Sequence, residues 1–343
     1  MKYSFVIPVY NCKAYLEGCV ASICSVQGVD YEVLLVDDGS TDGSGALCDT
    51  LAETYPQVRV IHQENGGASA ARNRGIRESQ GENLLFIDAD DVIDAAALGA
   101  ILADARCGQA DLTIFGLTFD YYRKGRCYRS DALWHDHDGV FTKEAWGTTF
   151  SDLYQQNSLS PVWNKVFKRD ILRRCCLELD AGMFLYEDFE FVLRYMAHCG
   201  DIWNVPKAVY HYRQSEDEGN AKRRLRRVES INDFLQPIEA AMEALVRANP
   251  ALQQGTADDV LLRLYLVLAR EKISVSSTDE VRRICREFAE WSARKGIQCH
   301  QDAKFQERLL RGKAASLILA DRKTALRHKL AVWVKSKLYL KKI

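Results

Sequence analysis

The chain is short of the features that would mark several protein classes. Its 343 residues include only six prolines and carry a formal net charge of −1, so composition writes neither a disordered chain nor a molecule-wide electrostatic footprint for nucleic acid. The eleven cysteines are odd in number and scattered without C-x-x-C spacing, which gives no disulfide framework and no structural zinc signature and fits a reducing compartment. No run approaches the ~20 apolar residues of a membrane span. The apolar run after Met1 and Lys2 stops at Pro8, without the longer core and cleavage site of a signal peptide, so the expected location is the cytoplasm. What is present is a globular composition, 47% hydrophobic and long enough for one large domain or two ordinary ones.

The first hundred or so residues alternate short β-branched runs with helical patterns, as a parallel sheet covered by helices does. Strands are predicted over Tyr3–Val9, Tyr31–Asp37, Val58–His62 and Asn83–Ile87, and helices over Tyr15–Val26, Gly45–Thr54 and Ala68–Ser79. Further strands are predicted over Leu112–Phe119 and Trp203–Tyr212, with a polar stretch at Asp131–Gly139 between them. Beyond Ser215 the pattern becomes helical, over Arg224–Ala248, Ala257–Ile273 and Asp279–Ala293. The expected organisation is therefore a sheet-bearing domain over residues 1–215, in two parts at 1–110 and 111–215, followed by a helical region 216–343.

In sheets of this kind ligands bind beyond the strands' carboxyl ends, and three polar clusters fall there. Asp88 and Asp90 follow an apolar strand, so both can face one crevice and share Mg²⁺ or Mn²⁺ with phosphate oxygens, although Asp-x-Asp equally suits turns and caps. In Val36-Asp37-Asp38-Gly39-Ser40-Thr41-Asp42 two adjacent carboxylates cannot both be caps; Asp38 is the functional candidate, with Ser40 or Asp42 read as the cap of the next helix. Asn65-Gly66-Gly67 before a helix of small residues brings backbone N–H groups and Arg72 toward an anionic ligand, or is an ordinary turn. His135-Asp136-His137-Asp138 reads as a solvated loop.

Taken together, Phe5-Val6-Ile7-Pro8-Val9-Tyr10-Asn11, Val36–Asp42, Ala70-Ala71-Arg72-Asn73 and Phe86-Ile87-Asp88-Ala89-Asp90-Asp91 stand in the order seen in family 2 glycosyltransferases. Val162-Trp163-Asn164-Lys165 and Tyr186-Glu187-Asp188-Phe189-Glu190-Phe191 are similar to that family's Trp-Asn-Lys and Glu-Asp segments. The resemblance covers roughly residues 3 to 213 and implies the GT-A fold, a Rossmann-like mixed sheet flanked by helices, in a bacterial inverting enzyme. It implies that Pro8, Val9 and Tyr10 line the nucleobase slot, that Asp38 bonds uracil, and that Arg72 helps hold the nucleotide. Asp88 would lie at the ribose and metal, Asp90 would be the main metal ligand, and Asp188 the catalytic base, with Glu187 beside it in support. His211 is a candidate third metal ligand, or an interior histidine between tyrosines; Arg213 is a candidate for the pyrophosphate. Trp163 has a stacking and a packing reading, and Glu187 and Asp188 also suit a helix's first turn.

The expected reaction is transfer of a hexosyl or N-acetylhexosaminyl group from a UDP-sugar to a hydroxyl of a growing glycan, with Mn²⁺ or Mg²⁺ assisting. A catalytically silent scaffold and a sugar nucleotidyltransferase are the alternatives; the latter normally has a glycine-rich loop with Arg and Lys after the first strand, which Val9-Tyr10-Asn11-Cys12-Lys13 lacks. In the tail 322–343 lysines and arginines alternate with Leu326, Leu330, Trp333, Leu338 and Tyr339, and no acid follows Asp321. Such a segment suits the cytoplasmic membrane surface, where a lipid-linked acceptor would be met, and equally suits packing on the domain.

Overall fold

The computed structural model describes residues 2–155, 159–215, 227–274 and 276–296, with 306, 309, 311, 312 and 317. Phe5, Ile7 and Val9 alternate with Ser4, Val6 and Pro8 along β1 (Lys2–Val9), and covered faces on both sides make this run almost wholly buried. β1 lies between β2 (Asp30–Asp37) and β4 (Asn83–Phe86), parallel to both, and β3 (Val58–His62) extends the parallel set beyond β2. Registers of Val9 with Asp37 and of Asp37 with His62 bring three carboxyl ends into line. Tyr10 and Asp38 follow directly from two of those ends.

The sheet has ten strands among the described residues, in the order β3-β2-β1-β4-β9-β6-β10-β5, with β7 on β6 and β8 on β10. β5 is Val92–Ile93, β6 Leu112–Arg123, β7 Arg126–Leu133, β8 Gly139–Phe141, β9 Lys165–Lys168 and β10 Ile202–Ser215. β9 runs antiparallel between β4 and β6, whereas β10 runs parallel to β6. The result is a mixed sheet. α1 (Lys13–Cys24), α2 (Ser44–Thr54) and α3 (Ala68–Glu78) are the helices of its parallel half. α3 needs its small residues: a Cβ at Gly75 would stand 2.1 Å from Val6 Cγ1. Then come α4 (Ala95–Ala103), α5 (Ala105–Gln109), α6 (Lys143–Thr148), α7 (Phe150–Gln155), α8 (Arg169–Arg174) and α9 (Glu187–Met196).

The polar stretch predicted from Asp131 is partly a strand. β6 runs on to Arg123 and turns through Lys124 and Gly125, at φ +48° and +75°, into β7. Positive φ at both turn residues suits the twist of a two-residue hairpin. β7 is largely solvent-facing, so no buried face printed an apolar alternation into its sequence.

The C-terminal helices are α10 (Ile231–Ala248), α11 (Gln254–Ile273) and α12 (Thr278–Lys295). Arg227–Ser230, inside the helix predicted from Arg224, is not helical, and residues 224–226 lie outside the described residues. The chain forms two compact units, and Ala240–Ala257 belongs with the sheet-bearing one rather than with the later helices. Asn249 Nδ2 there donates to Lys143 O at 2.7 Å. In the other unit Tyr265, Phe288 and Trp291 pack together, and Ser277 with Glu280 forms a reciprocal cap on α12. The basic tail 322–343 is outside the described residues.

Candidate active site

The loop after β2 is locked before any ligand arrives. Asp38 N donates to Val9 O at 2.9 Å, stitching β2 to the end of β1. Its buried carboxylate accepts Gly66 N and Gln63 Nε2 on Oδ1, at 2.8 and 2.7 Å, and Gly67 N on Oδ2 at 2.8 Å. The anion served by the glycine pair's N–H groups is thus Asp38 itself. One direction on Oδ2 is left for a ligand donor. Gly67 sits at φ +88°, and Gly39 at φ +72° has Asn65 N only 3.1 Å from where a Cβ would stand. Asp37 accepts from Ser40 N and pairs with His62 Nδ1 at 2.9 Å. Gly43, not Ser40 or Asp42, is the N-cap of α2; Asp42 works from one residue earlier, accepting from Lys13 N and Ser44 N.

Of the three residues expected around the base, Tyr10 is 52% exposed and Pro8 is half-buried, while the Val9 side chain is buried in the core. Strand alternation causes this, since Val9 shares its face with Phe5 and Ile7. Only Val9's backbone remains for a slot, and its carbonyl already serves Asp38.

Beyond β4 the chain turns through Asp88–Asp91, with Asp91 N donating to Asp88 O. Asp91 is the member of this motif to which sequence reasoning gave no role. Its carboxylate accepts the Tyr210 hydroxyl at 2.7 Å and Arg213 N at 2.7 Å, and the Tyr210 oxygen accepts Asp88 N at 3.0 Å. Burial first, then the charges of Asp88 and Asp90, push Asp91 up to about 9. It holds the turn while Asp90 stays exposed. Arg213 donates from Nε to Asp90 O at 3.2 Å, and its guanidinium lies 3.8 Å above the Tyr122 ring and 5.0 Å from that of Tyr15. His211 Nδ1 is 3.0 Å from Asp120 Oδ2, which leaves Nε2 as its open nitrogen.

Arg72 joins these groups. Buried on α3, it donates to Asp88 Oδ1 at 2.7 Å and to Asp188 Oδ1 at 3.2 Å. Asp188 and Glu187 open α9, whose preceding Tyr186 takes φ +57°. Val162 N donates to Asp188 Oδ2 at 3.4 Å. Burial pushes Asp188 up to about 6; Arg72 pulls it down, while Glu187 and Asp88 add to the rise. Trp163 follows its packing reading, stacked on Tyr210 at 4.2 Å and Tyr212 at 5.3 Å. The His135–Asp138 loop supports β10 through Asn204, which donates to the carbonyls of His135 and His137.

Asp88 and Asp90 are hard oxygen donors at the sheet edge, the kind Mg²⁺ or Mn²⁺ takes one or two of, filling its other positions from phosphate and water. Among the described residues no group of three or more His, Cys, Asp or Glu is arranged to hold a metal ion. The expected set of Asp88, Asp90 and His211 therefore offers only a fraction of a coordination shell. Also among the described residues, no helix is long and apolar enough to cross a membrane.

A parallel half-sheet with carboxylates at its carboxyl end, continued by mixed strands, is the GT-A arrangement of nucleotide-sugar-dependent transferases. The model of the glycosyl transferase family 2 matches residues 4–174, and the chain belongs to that family. It is 26% identical over 325 residues to the uncharacterized glycosyltransferase EpsJ of Bacillus subtilis, covering 92% of this chain and 91% of that one. It is 40% identical over 112 residues to the glycosyltransferase GlyG of Streptococcus pneumoniae, 32% of this chain and 37% of that one. The crystal structure of S. aureus TarS 1–349 in complex with UDP-GlcNAc superposes with a TM-score of 0.65 at 18% identity, over 92% of each chain. The chain is thus an enzyme of the nucleotide-sugar-dependent glycosyltransferase class by family and fold.

Proposed function

We propose that the chain transfers a hexosyl or N-acetylhexosaminyl group from a UDP-sugar to a hydroxyl of a growing surface glycan, of capsule, exopolysaccharide, O-antigen or lipooligosaccharide type, by one inverting displacement. The observation that carries this reading is Asp188, a half-buried carboxylate tied through Arg72 to Asp88 and raised to about 6. A base titrating just below neutral pH is ionised at pH 7 yet accepts a proton more readily than an ordinary carboxylate. The acceptor oxygen attacks the anomeric carbon from the face opposite the diphosphate, its proton passes to Asp188, and the sugar–phosphate bonding pair leaves with UDP. Glu187, on the same helical turn, contacts the acceptor.

The choice of UDP is supported by TarS structures of this fold in complex with UDP and with UDP-GlcNAc. Pro8 and Tyr10 flank the base, Asp38 offers its remaining Oδ2 direction to uracil, and Arg213 faces the pyrophosphate. Asp88 and Asp90, with Nε2 of His211, would hold Mn²⁺ or Mg²⁺, which when bound neutralises the charge on the departing diphosphate. Arg72 acts on the nucleotide site through Asp88. A lipid-linked acceptor at the cytoplasmic membrane face, met by the tail 322–343, fits the tail's alternation of lysines and apolar residues.

The test is UDP release with Mn²⁺ across UDP-, GDP- and dTDP-sugars, comparing wild type with Asp90→Ala and Asp188→Asn. Turnover of one UDP-sugar, abolished by EDTA and by Asp90→Ala, with Asp188→Asn still binding donor but inert, is the expected pattern. No turnover of any nucleotide sugar with any metal would leave the silent-scaffold reading standing.

A further inference from the structure

The Trp163-Asn164-Lys165 segment has no role in the chemistry above, yet it contains a wholly buried lysine. Lys165 begins β9, and its ammonium donates to Pro161 O at 2.5 Å and to Asn164 Oδ1 at 2.6 Å. Asn164 is itself fixed to β6: its Nδ2 donates to Phe115 O and its carbonyl accepts Phe115 N, each at 3.1 Å. Both anchors bracket the turn that contains Val162. Val162 N is the backbone group that donates to Asp188. Burying an ammonium is expensive, and burial indeed weakens the hold of Lys165 on its proton, while the negative charge of Asp188 supports it. A methionine or leucine would fill this core position without that cost, so the charge calls for a use.

We propose that Lys165 is a positioning residue for the transfer: it clamps the Pro161–Asn164 turn so that the Val162 N–H stays aimed at the Asp188 carboxylate, as a donor to its ionised form. The inference rests on Asp188 acting as the base. Four charged groups then surround Asp188: Arg72 from α3, Asp88 from the turn after β4, Glu187 from its own helix and Lys165 from β9. Arg72 and the Val162 N–H hold different oxygens of Asp188, and loosening the Val162 donor shifts the balance toward the protonated acid.

Lys165→Met keeps the length and drops the charge; Lys165→Gln keeps a donor and drops the charge, and serves if the methionine variant does not fold. Two readouts are taken on the full chain. UDP release from an equimolar mixture of UDP-glucose, UDP-galactose, UDP-GlcNAc and UDP-GalNAc should fall about 10- to 100-fold, with UDP affinity held within about twofold, because a misaligned base costs rate and not donor binding. The Asp188 carboxyl resonance, followed in protein labelled at aspartate ¹³Cγ and assigned by its loss in Asp188→Asn, should titrate about 1 pH unit higher. An unmoved Asp188 titration in both variants overturns the proposal whatever the activity does. If wild type releases no UDP from the mixture, the donor reading fails by itself, and the titration still decides whether Lys165 acts on Asp188.

Discussion

Replacing Arg72 with methionine should switch off the base more than it unfolds the protein. Arg72 is 5% exposed and bridges Asp88 and Asp188, so its loss leaves two carboxylates facing each other across the gap. Breaking a fully buried pair typically costs about 3–5 kcal/mol. Asp188 has an escape, however: with its titration at about 6, taking up a proton at pH 7 costs only about 1.4 kcal/mol per pH unit of separation. That bounds its share of the penalty near about 1.4 kcal/mol, plus roughly 1 kcal/mol for the lost hydrogen bond. Asp88 is a quarter exposed, and water takes over some of its charge. The expected net destabilisation is therefore about 2–3 kcal/mol, measurable by urea unfolding. The functional effect runs the other way in pH. A protonated Asp188 cannot accept the acceptor's proton, so the acid limb of kcat/KM should move from about 6 to above about 7. The rate at pH 7 should fall at least about twofold and recover toward about pH 8.5. An Arg72→Met enzyme whose acid limb stays where wild type has it would refute the assignment of Arg72 as the group that keeps the base ionised.

Other expectations bear on how the site is built. Gly75→Ala gains roughly 1 kcal/mol of helix propensity, but its Cβ would stand 2.1 Å from Val6 Cγ1; overpacking should win, with a net loss of about 1–3 kcal/mol in chemical denaturation. Asp38→Asn sets an amide N–H against the N–H of Gly66 or Gly67, and should cost about 1.5–3 kcal/mol along with UDP affinity measured by calorimetry. His62 lies between Asp37 and Asp49, whose carboxylates raise it above the ordinary histidine range. Its contribution is complete below about pH 6.5 and is lost as pH rises through the folded-state value above that. Because His62 is half exposed, the effect should stay under about 1 kcal/mol. The fall in melting temperature between about pH 6 and 8.5 should accordingly shrink in His62→Gln, and an equal fall in both proteins would count against the His62 clamp.

The elements of the parallel half-sheet were legible because each buries a continuous run: β1 to β4 and α1 to α3 lie within two residues of their predicted bounds. β7 was not, because its side chains mostly meet water and the alternation that announces a strand has no core to face. The same pleat that made β1 recognisable also places Val9: two residues beyond Ile7, its side chain shares the core. At the site, residue types and order pointed to Asp88, Asp90 and Asp188, but the pairings among them came from distance in the chain. Arg72 meets Asp188 across 116 residues, and Asp91 meets Tyr210 across 119. No local pattern encodes either pairing. Lys165 is the sharpest case, since a lysine is ordinarily read as surface. Its burial becomes intelligible only once β9 is inserted antiparallel between β4 and β6, which carries the Pro161–Asn164 turn to the opening of α9. On the proposed role of Lys165, Arg72 holds one oxygen of the base and the clamped Val162 N–H the other, so the base can give up part of its water, gain strength and still stay ionised.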